Sequence, residues 1–271
     1  MGSENRGLSQ LNYLIFNEFK NAFPVKKVML IVVLMLFPLI YFFIRKDQYE
    51  FPDELSIFTF MFEGVFSMVF VLAATFIYAL HFSSEIKNRF IFYERTRMSI
   101  RKLLSIKLTV LNSSTFIVFF LLGIGYFIFS FYIAPSLELI NARPIDKPIT
   151  SRHTFTQLFQ YGPVVYGLLY SGWIALHAAL FASLAFFFTL IMSNAYIALS
   201  LPFLIYMIGA FLLPSIDISF MPFWFVDSIF PFGYVQQPIW TAFVPFIGLL
   251  FVCILLFVYV YTRAERLDNL L

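Results

Sequence analysis

Apolar residues fall into six long runs along this chain, and a segment with a different rhythm precedes the first of them. Between residues 8 and 23 the apolar positions are Leu8, Leu11, Ile15, Phe19, Ala22 and Phe23, while Gln10, Asn12, Asn17, Glu18, Lys20 and Asn21 mostly occupy the other face. This three-four spacing predicts an amphipathic helix that is too polar to cross a bilayer. Set before an apolar run, with Pro24, Lys26 and Lys27 at the bend, it is expected to lie in the headgroup plane as an elbow. A helix on the soluble side, packed on a partner, is the alternative. Residues 28–44 are uncharged and bracketed by Lys26, Lys27, Arg45 and Lys46, giving roughly 25 Å of helix, enough to span when the flanking cations snorkel. Pro38 inside this run is tolerable because neighbouring helices can satisfy the freed carbonyl. Further spans are predicted at 57–82, 108–133, 164–192, 195–213 and 239–261.

The connection at 214–238, PSIDISFMPFWFVDSIFPFGYVQQP, has no Lys or Arg and is divided by four prolines. Its apolar pieces are too short to cross, so two short re-entrant helices are expected, packed on protein or lining a cavity. The fold class read from the pattern is therefore all-α and integral to the membrane: one transmembrane domain over 1–271, with six spans, an in-plane elbow and a re-entrant region.

Composition sharpens this. Of 271 residues 61% are apolar and 12% charged, against about 25% charged in a soluble domain. The first run starts late, has no small-residue cleavage site and is followed by others, so it reads as a retained span rather than a signal peptide. A net charge of +3 gives no nucleic-acid reading; what matters is where the cations lie. The N-terminal segment, residues 83–107 and the tail hold 13 of the 18 basic residues, and the opposite connections hold Arg45, Lys46, Arg143, Lys147 and Arg152. By the positive-inside rule, both termini and the 83–107 loop are expected in the cytoplasm, in a multi-pass protein of the cell membrane. The single Cys253, inside an apolar run, excludes a disulfide framework and a cysteine metal site.

The 83–107 loop, SSEIKNRFIFYERTRMSIRKLLSIK, sets seven cations against Glu85 and Glu94. Contact with anionic headgroups accounts for such a loop without further function. Its internal order suggests more. A helix continues past the surface to Glu85, an apolar knot follows at 90–93, and Ser99 stands where an N-cap restarts a helix through Arg101, Lys102, Leu103 and Leu104. A short element with aromatics and cations, held between two long helices, suits docking of a soluble partner.

RMSIRKLLSIK, residues 97–107, resembles the entry to the third span in ABC-2 type ABC-transporter permeases, and Glu85 matches the acidic residue opening that family's coupling segment. DSIFPFGYVQQPIW, residues 227–240, is similar to the family's loop before the last span, where Pro, an aromatic and a Tyr precede a membrane re-entry. The elbow, six spans and re-entrant connection fit the same family over the whole chain. One departure is that Gly and Thr often follow the acidic residue in the family, whereas Asn88, Arg89 and Phe90 stand here. The resemblance implies a dimer with a second copy or a homologous permease, bound to separate ATP-binding-cassette ATPase subunits that carry the ATP and Mg²⁺. It implies an ATPase-coupling element of Glu85, Lys87, Arg89, Phe90, Phe92, Tyr93 and Glu94, and a membrane anchor and helix restart of Arg97, Ser99, Arg101, Lys102 and Lys107. No G-x-x-x-x-G-K-[ST] occurs, so the chain itself is expected to hold no nucleotide or other cofactor and not to be an enzyme. The Arg-Tyr and Leu-Gly-x-Leu-Trp pattern of polysaccharide exporters is missing from residues 16–36. Peptide, antibiotic and ion-efflux branches remain, and an aromatic, charge-poor membrane region favours an amphipathic peptide cargo. A non-transporting scaffold or sensor that docks a partner through the basic loop is the alternative.

Glu63, Phe223, Trp224 and Tyr234 are the candidates for a substrate path. Glu63 is expected near the outer surface, where water removes most of the cost of its charge. His177 is expected neutral and bonded to a neighbouring helix. Ser171, His177 and Ser183 lack an accompanying buried acid, which argues against hydrolase chemistry, and no metal site is expected. Gly123, Gly125, Gly162, Gly167 and Gly172 are expected to let helices approach closely.

Overall fold

Residues 13–22 form helix α1, and Pro24, with extended backbone, turns the chain into α2 (Val25–Arg45). The computed structural model describes residues 13–88, 90, 98–140, 154–232 and 236–263. A capping box starts the next helix, α3 (Glu54–Phe62): the Ser56 N–H donates to Asp53 Oδ1 at 2.8 Å and the Asp53 N–H reaches back to Ser56 Oγ at 3.4 Å. Helices α4 (Val65–Ile77) and α5 (Ala79–Lys87) follow. Beyond the loop, α6 (Ile100–Ile128) continues through a π turn, Phe129–Ile133, to Ser136. A 3₁₀ segment, Thr154–Tyr161, leads to α7 (Pro163–Ile191), with Pro163 in the first turn where its missing N–H has no intrahelical role. Then come α8 (Ala195–Ile216), a 3₁₀ segment Ile218–Phe223, the short α9 (Phe225–Ile229) and α10 (Trp240–Arg263).

Every regular element among the described residues is a helix. Five helices are long and apolar enough to cross a membrane, and the bent pair α3–α4 is a sixth candidate. The protein is therefore an α-helical membrane protein.

Two features depart from the expected spans. The run expected to be a single helix over 57–82 is bent by 54° between Phe62 and Val65. Gly64 sits there at φ +64°, a conformation glycine adopts without the steric cost of a Cβ, and Glu63 ends α3 with its N–H on Thr59 O. The third long helix begins at Ile100 rather than 108, because Arg101 and Lys102 are exposed on its first turn and do not interrupt it. Ser99 holds the N-cap position in extended backbone, but its hydroxyl makes no capping hydrogen bond.

Helix α7 is the core of the bundle, with 72% of its most apolar window buried against 11% for α2, and its longest contact is with α6. Small residues make that approach possible. A Cβ at Gly123 would meet Ser171 Oγ at 2.6 Å, and one at Gly167 would meet the Phe127 ring at 2.5 Å. Gly125 and Gly172 face open space instead, and Gly162 serves a turn at φ +98°. Phenylalanines fill what remains. Phe58, Phe62, Phe66 and Phe70 carry one aromatic stripe across the α3–α4 bend and pack edge-on against Tyr126, Phe127, Tyr170, Phe119 and Phe230.

On α8, a Cβ at Gly209 would run into the Trp224 ring. Gly209→Ala is thus expected to displace the indole, break its bond to Tyr206 O and cost about 1–3 kcal/mol. Thermal unfolding of the detergent-purified variant measures this.

Candidate functional site

The base of the 83–107 loop is where chemistry-bearing residues converge. Lys107, on the second turn of α6, is completely buried. Its Nζ lies 2.8 Å from Glu85 Oε2 at the end of α5 and 3.2 Å from Glu18 Oε1 on α1. Glu18, 7% exposed, also accepts a hydrogen bond from the Tyr78 hydroxyl. His81, one helical turn before Glu85, has Nε2 3.4 Å from Glu85 Oε1. Lys27, at the start of α2, donates to Ala22 O at 2.9 Å and lies over the rings of Phe23 and Tyr78. Two cations thus sit among two carboxylates within a partly buried cluster built from α1, α2, α5 and α6.

Charges at this depth require partners. Burial alone would raise the Glu85 carboxyl, but its contacts with His81 and Lys107 outweigh that and hold it below its ordinary value. Ligand atoms of Glu18, His81 and Glu85 come within 4.8 Å of one another, a spacing that could suit a metal ion. The Lys107 ammonium already bears on both carboxylates there, so the cation of this cluster is the protein's own.

Glu85 and Lys107 join the two ends of the loop, and Glu18 ties that junction to α1. Arg101 reaches the other way, its guanidinium 5.7 Å from the Tyr261 ring near the end of α10.

Of the residues expected to couple to an ATPase, Glu85 is in this cluster, and Lys87 and Phe90 are exposed. Arg89, Phe92, Tyr93 and Glu94 lie outside the described residues, as does Arg97. Among the expected anchor residues, Ser99, Arg101 and Lys102 are exposed, whereas Lys107 points into the bundle and not toward headgroups. Sequence reading missed Glu18, Tyr78 and Lys27 as members of one site. A usable signal lay in the spacing of Leu103, Lys107, Leu111 and Ser114, which puts the lysine on the buried face of α6.

At the opposite end, hydrogen bonds lead from one path candidate, Trp224, to the bend beside another, Glu63. Trp224 Nε1 donates to Tyr206 O at 2.9 Å, the buried Tyr206 hydroxyl donates to Ser67 O at 2.8 Å, and Ser67 Oγ donates to Gly64 O at 2.8 Å. Glu63 is the next residue, exposed at the bend. Phe223 packs on Trp240 with centroids 5.9 Å apart, and Tyr234 lies outside the described residues. His177 is fully buried; its Nδ1 lies 3.0 Å from Trp173 O in its own helix and its Nε2 3.4 Å from Ser228 Oγ on α9. Ser183 donates to Asn112 Oδ1 at 2.6 Å, a bond between α7 and α6. These contacts account for His177 and Ser183 as packing groups. Compared with protein-family models, curated proteins and solved structures, the chain matches none.

Proposed function

We propose that this chain is the membrane-spanning permease subunit of an ABC exporter of the ABC-2 type. In this reading it has six spans, with α3 and α4 forming a broken second span, α1 an in-plane elbow and the segment from Ile218 to Ile229 a re-entrant region. Both termini and the basic loop face the cytoplasm across the cell membrane. Separate ATP-binding-cassette subunits bind ATP and Mg²⁺, and a second copy or a homologous permease completes the pathway. The cargo is amphipathic or hydrophobic, with a peptide preferred because the membrane region is aromatic and poor in charge.

The observation that carries this reading is the junction of Glu85, Lys107 and Glu18. A loop that receives force from a soluble ATPase must be stiff at its base and connected to the helices it is to move. This one is closed at its base by ion pairs and bound to the elbow.

Reconstitution with candidate ATPases tests the proposal. The complex is expected to co-purify, and Arg89→Glu with Phe90→Ala is expected to lower permease-stimulated ATP hydrolysis and transport at least about tenfold, since like-charge juxtaposition at a docking surface costs several kcal/mol. Failure of every ATPase to bind, or coupling unchanged by the double substitution, removes the mechanism and leaves a scaffold.

A further inference from the structure

A pocket of about 380 Å³ opens at the basic end of the bundle, between the end of α5 and the turn joining α7 to α8. Ser83, Lys87, Ser193, Asn194 and Tyr196 line it, with Ile86 and Met192. Ser83 is 5% exposed, and Lys87 is exposed at the rim. The 22-residue α8 begins here. Asn194 Oδ1 takes the N–H groups of Tyr196 and Ile197, at 3.0 and 3.3 Å, so the helix contributes its positive end rather than a full set of free amides. A serine hydroxyl, a lysine and the positive end of a helix line one cavity, an arrangement complementary to an anion.

A second cavity adjoins it. A groove of about 440 Å³ runs between α2, α4 and α8, walled by Leu34, Val69, Leu72, Phe76, Leu80 and Leu199. Tyr196, 79% exposed, lines both cavities and marks their junction. From Val69 to Phe76 the rise along α4 is about 10 Å, and Leu80, beyond the break at Tyr78, extends the wall toward the depth of one leaflet, half of a hydrocarbon core of about 30 Å. A charged compartment at the membrane surface thus continues into an apolar one of acyl-chain length.

We propose that the two cavities form one site for an anionic phospholipid of the leaflet on the basic side. Its phosphate sits against Lys87, Ser83 and the start of α8, and one acyl chain lies in the groove beside Leu72 and Phe76. Charge complementarity selects an acidic headgroup over a zwitterionic one, and the shared Tyr196 places head and chain in a single molecule. This site goes beyond the export reading and does not need it.

The test uses the full chain alone, in phosphatidylcholine vesicles containing a small fraction of phosphatidylglycerol with a photoactivatable acyl chain. Cross-links are expected to concentrate in residues 69–80 and 196–200. Unlabelled phosphatidylglycerol is expected to suppress them, while phosphatidylcholine and inorganic phosphate do not. Lys87→Gln with Ser83→Ala is expected to lower labelling about fivefold, and Lys87→Arg to retain it. Labelling spread evenly over the helices, or unchanged by Lys87→Gln, overturns the proposal. Suppression by inorganic phosphate assigns the pocket to a free anion and also overturns it. So does a disulfide between two copies carrying Leu72→Cys in a Cys253→Ser background, because a second copy then covers the groove. No arm contains an ATPase, so a negative result here leaves the export reading to its own experiment.

Discussion

Replacing Lys107 with methionine is expected to destabilise the protein by about 3–5 kcal/mol, because two carboxylates lose the cation they share in a buried site. Methionine keeps most of the apolar stem, so the loss reports the charge and not a cavity. Thermal unfolding in detergent, followed by size exclusion, measures the effect. The triple variant Lys107→Met, Glu18→Gln, Glu85→Gln is expected to recover most of the stability, since a neutral set of groups can replace a buried ion set at little cost. A single variant that unfolds at the parental temperature would rule out a buried ion network. Glu85 also gives the cluster a pH dependence. Its folded value lies below the ordinary 4.5, so its contribution is complete above that pH and is lost as pH falls below it.

The parts of this cluster were visible in the sequence, but their convergence was not. Glu18 falls among the polar positions of an amphipathic helix, where a solvated carboxylate is the ordinary outcome. Its partners Tyr78 and Lys107 are 60 and 89 residues away, and no local spacing announces a pairing over such distances. Lys107 was masked by six other cations in the same loop, which together read as a headgroup anchor. The helices themselves were legible because uninterrupted apolar runs have one solution in a bilayer, where every backbone group must bond internally. The bend at Gly64 was less so, since Glu63 and Gly64 interrupt an apolar run too briefly to change its average. The fate of 214–238 was legible as short pieces, although Pro214 stays within α8 and only the 3₁₀ segment and the five-residue α9 follow it. What those pieces pack against depended on partners in α7.

Those partners lead to the second large effect: Tyr170→Phe combined with Trp173→Phe is expected to release α9 from the bundle. A helix of five residues cannot satisfy its own last carbonyls. Here the Trp173 indole N–H donates to Ser228 O at 2.8 Å and the Tyr170 hydroxyl donates to Ile229 O at 3.0 Å, so two side chains of α7 complete the end of α9. Phenylalanine keeps much of each ring's packing, against Phe58 and Tyr166 for residue 170 and Phe246 for residue 173; it removes only the donor at 170, and at 173 the donor together with one ring of the indole. Each orphaned buried carbonyl costs about 1–3 kcal/mol, so the double variant is expected to lose more than either single one. Thermal unfolding gives the total, and maleimide labelling of Ile229→Cys in a Cys253→Ser background locates it. The introduced thiol, at a position with no exposure in the native packing, is expected to react slowly in the parent and rapidly in the double variant. Ser228→Ala separates this mechanism from a general loosening. It removes the hydroxyl that donates to Ala242 O at 2.6 Å and lies 3.4 Å from His177 Nε2; the carbonyl is inside α10, where the helix ladder still serves it, but the buried imidazole loses a neighbour. A cost of about 1–3 kcal/mol, below that of the double variant, is therefore expected there, with the thiol still protected. Equal losses from Ser228→Ala and the double variant would mean that α9 is held by packing alone.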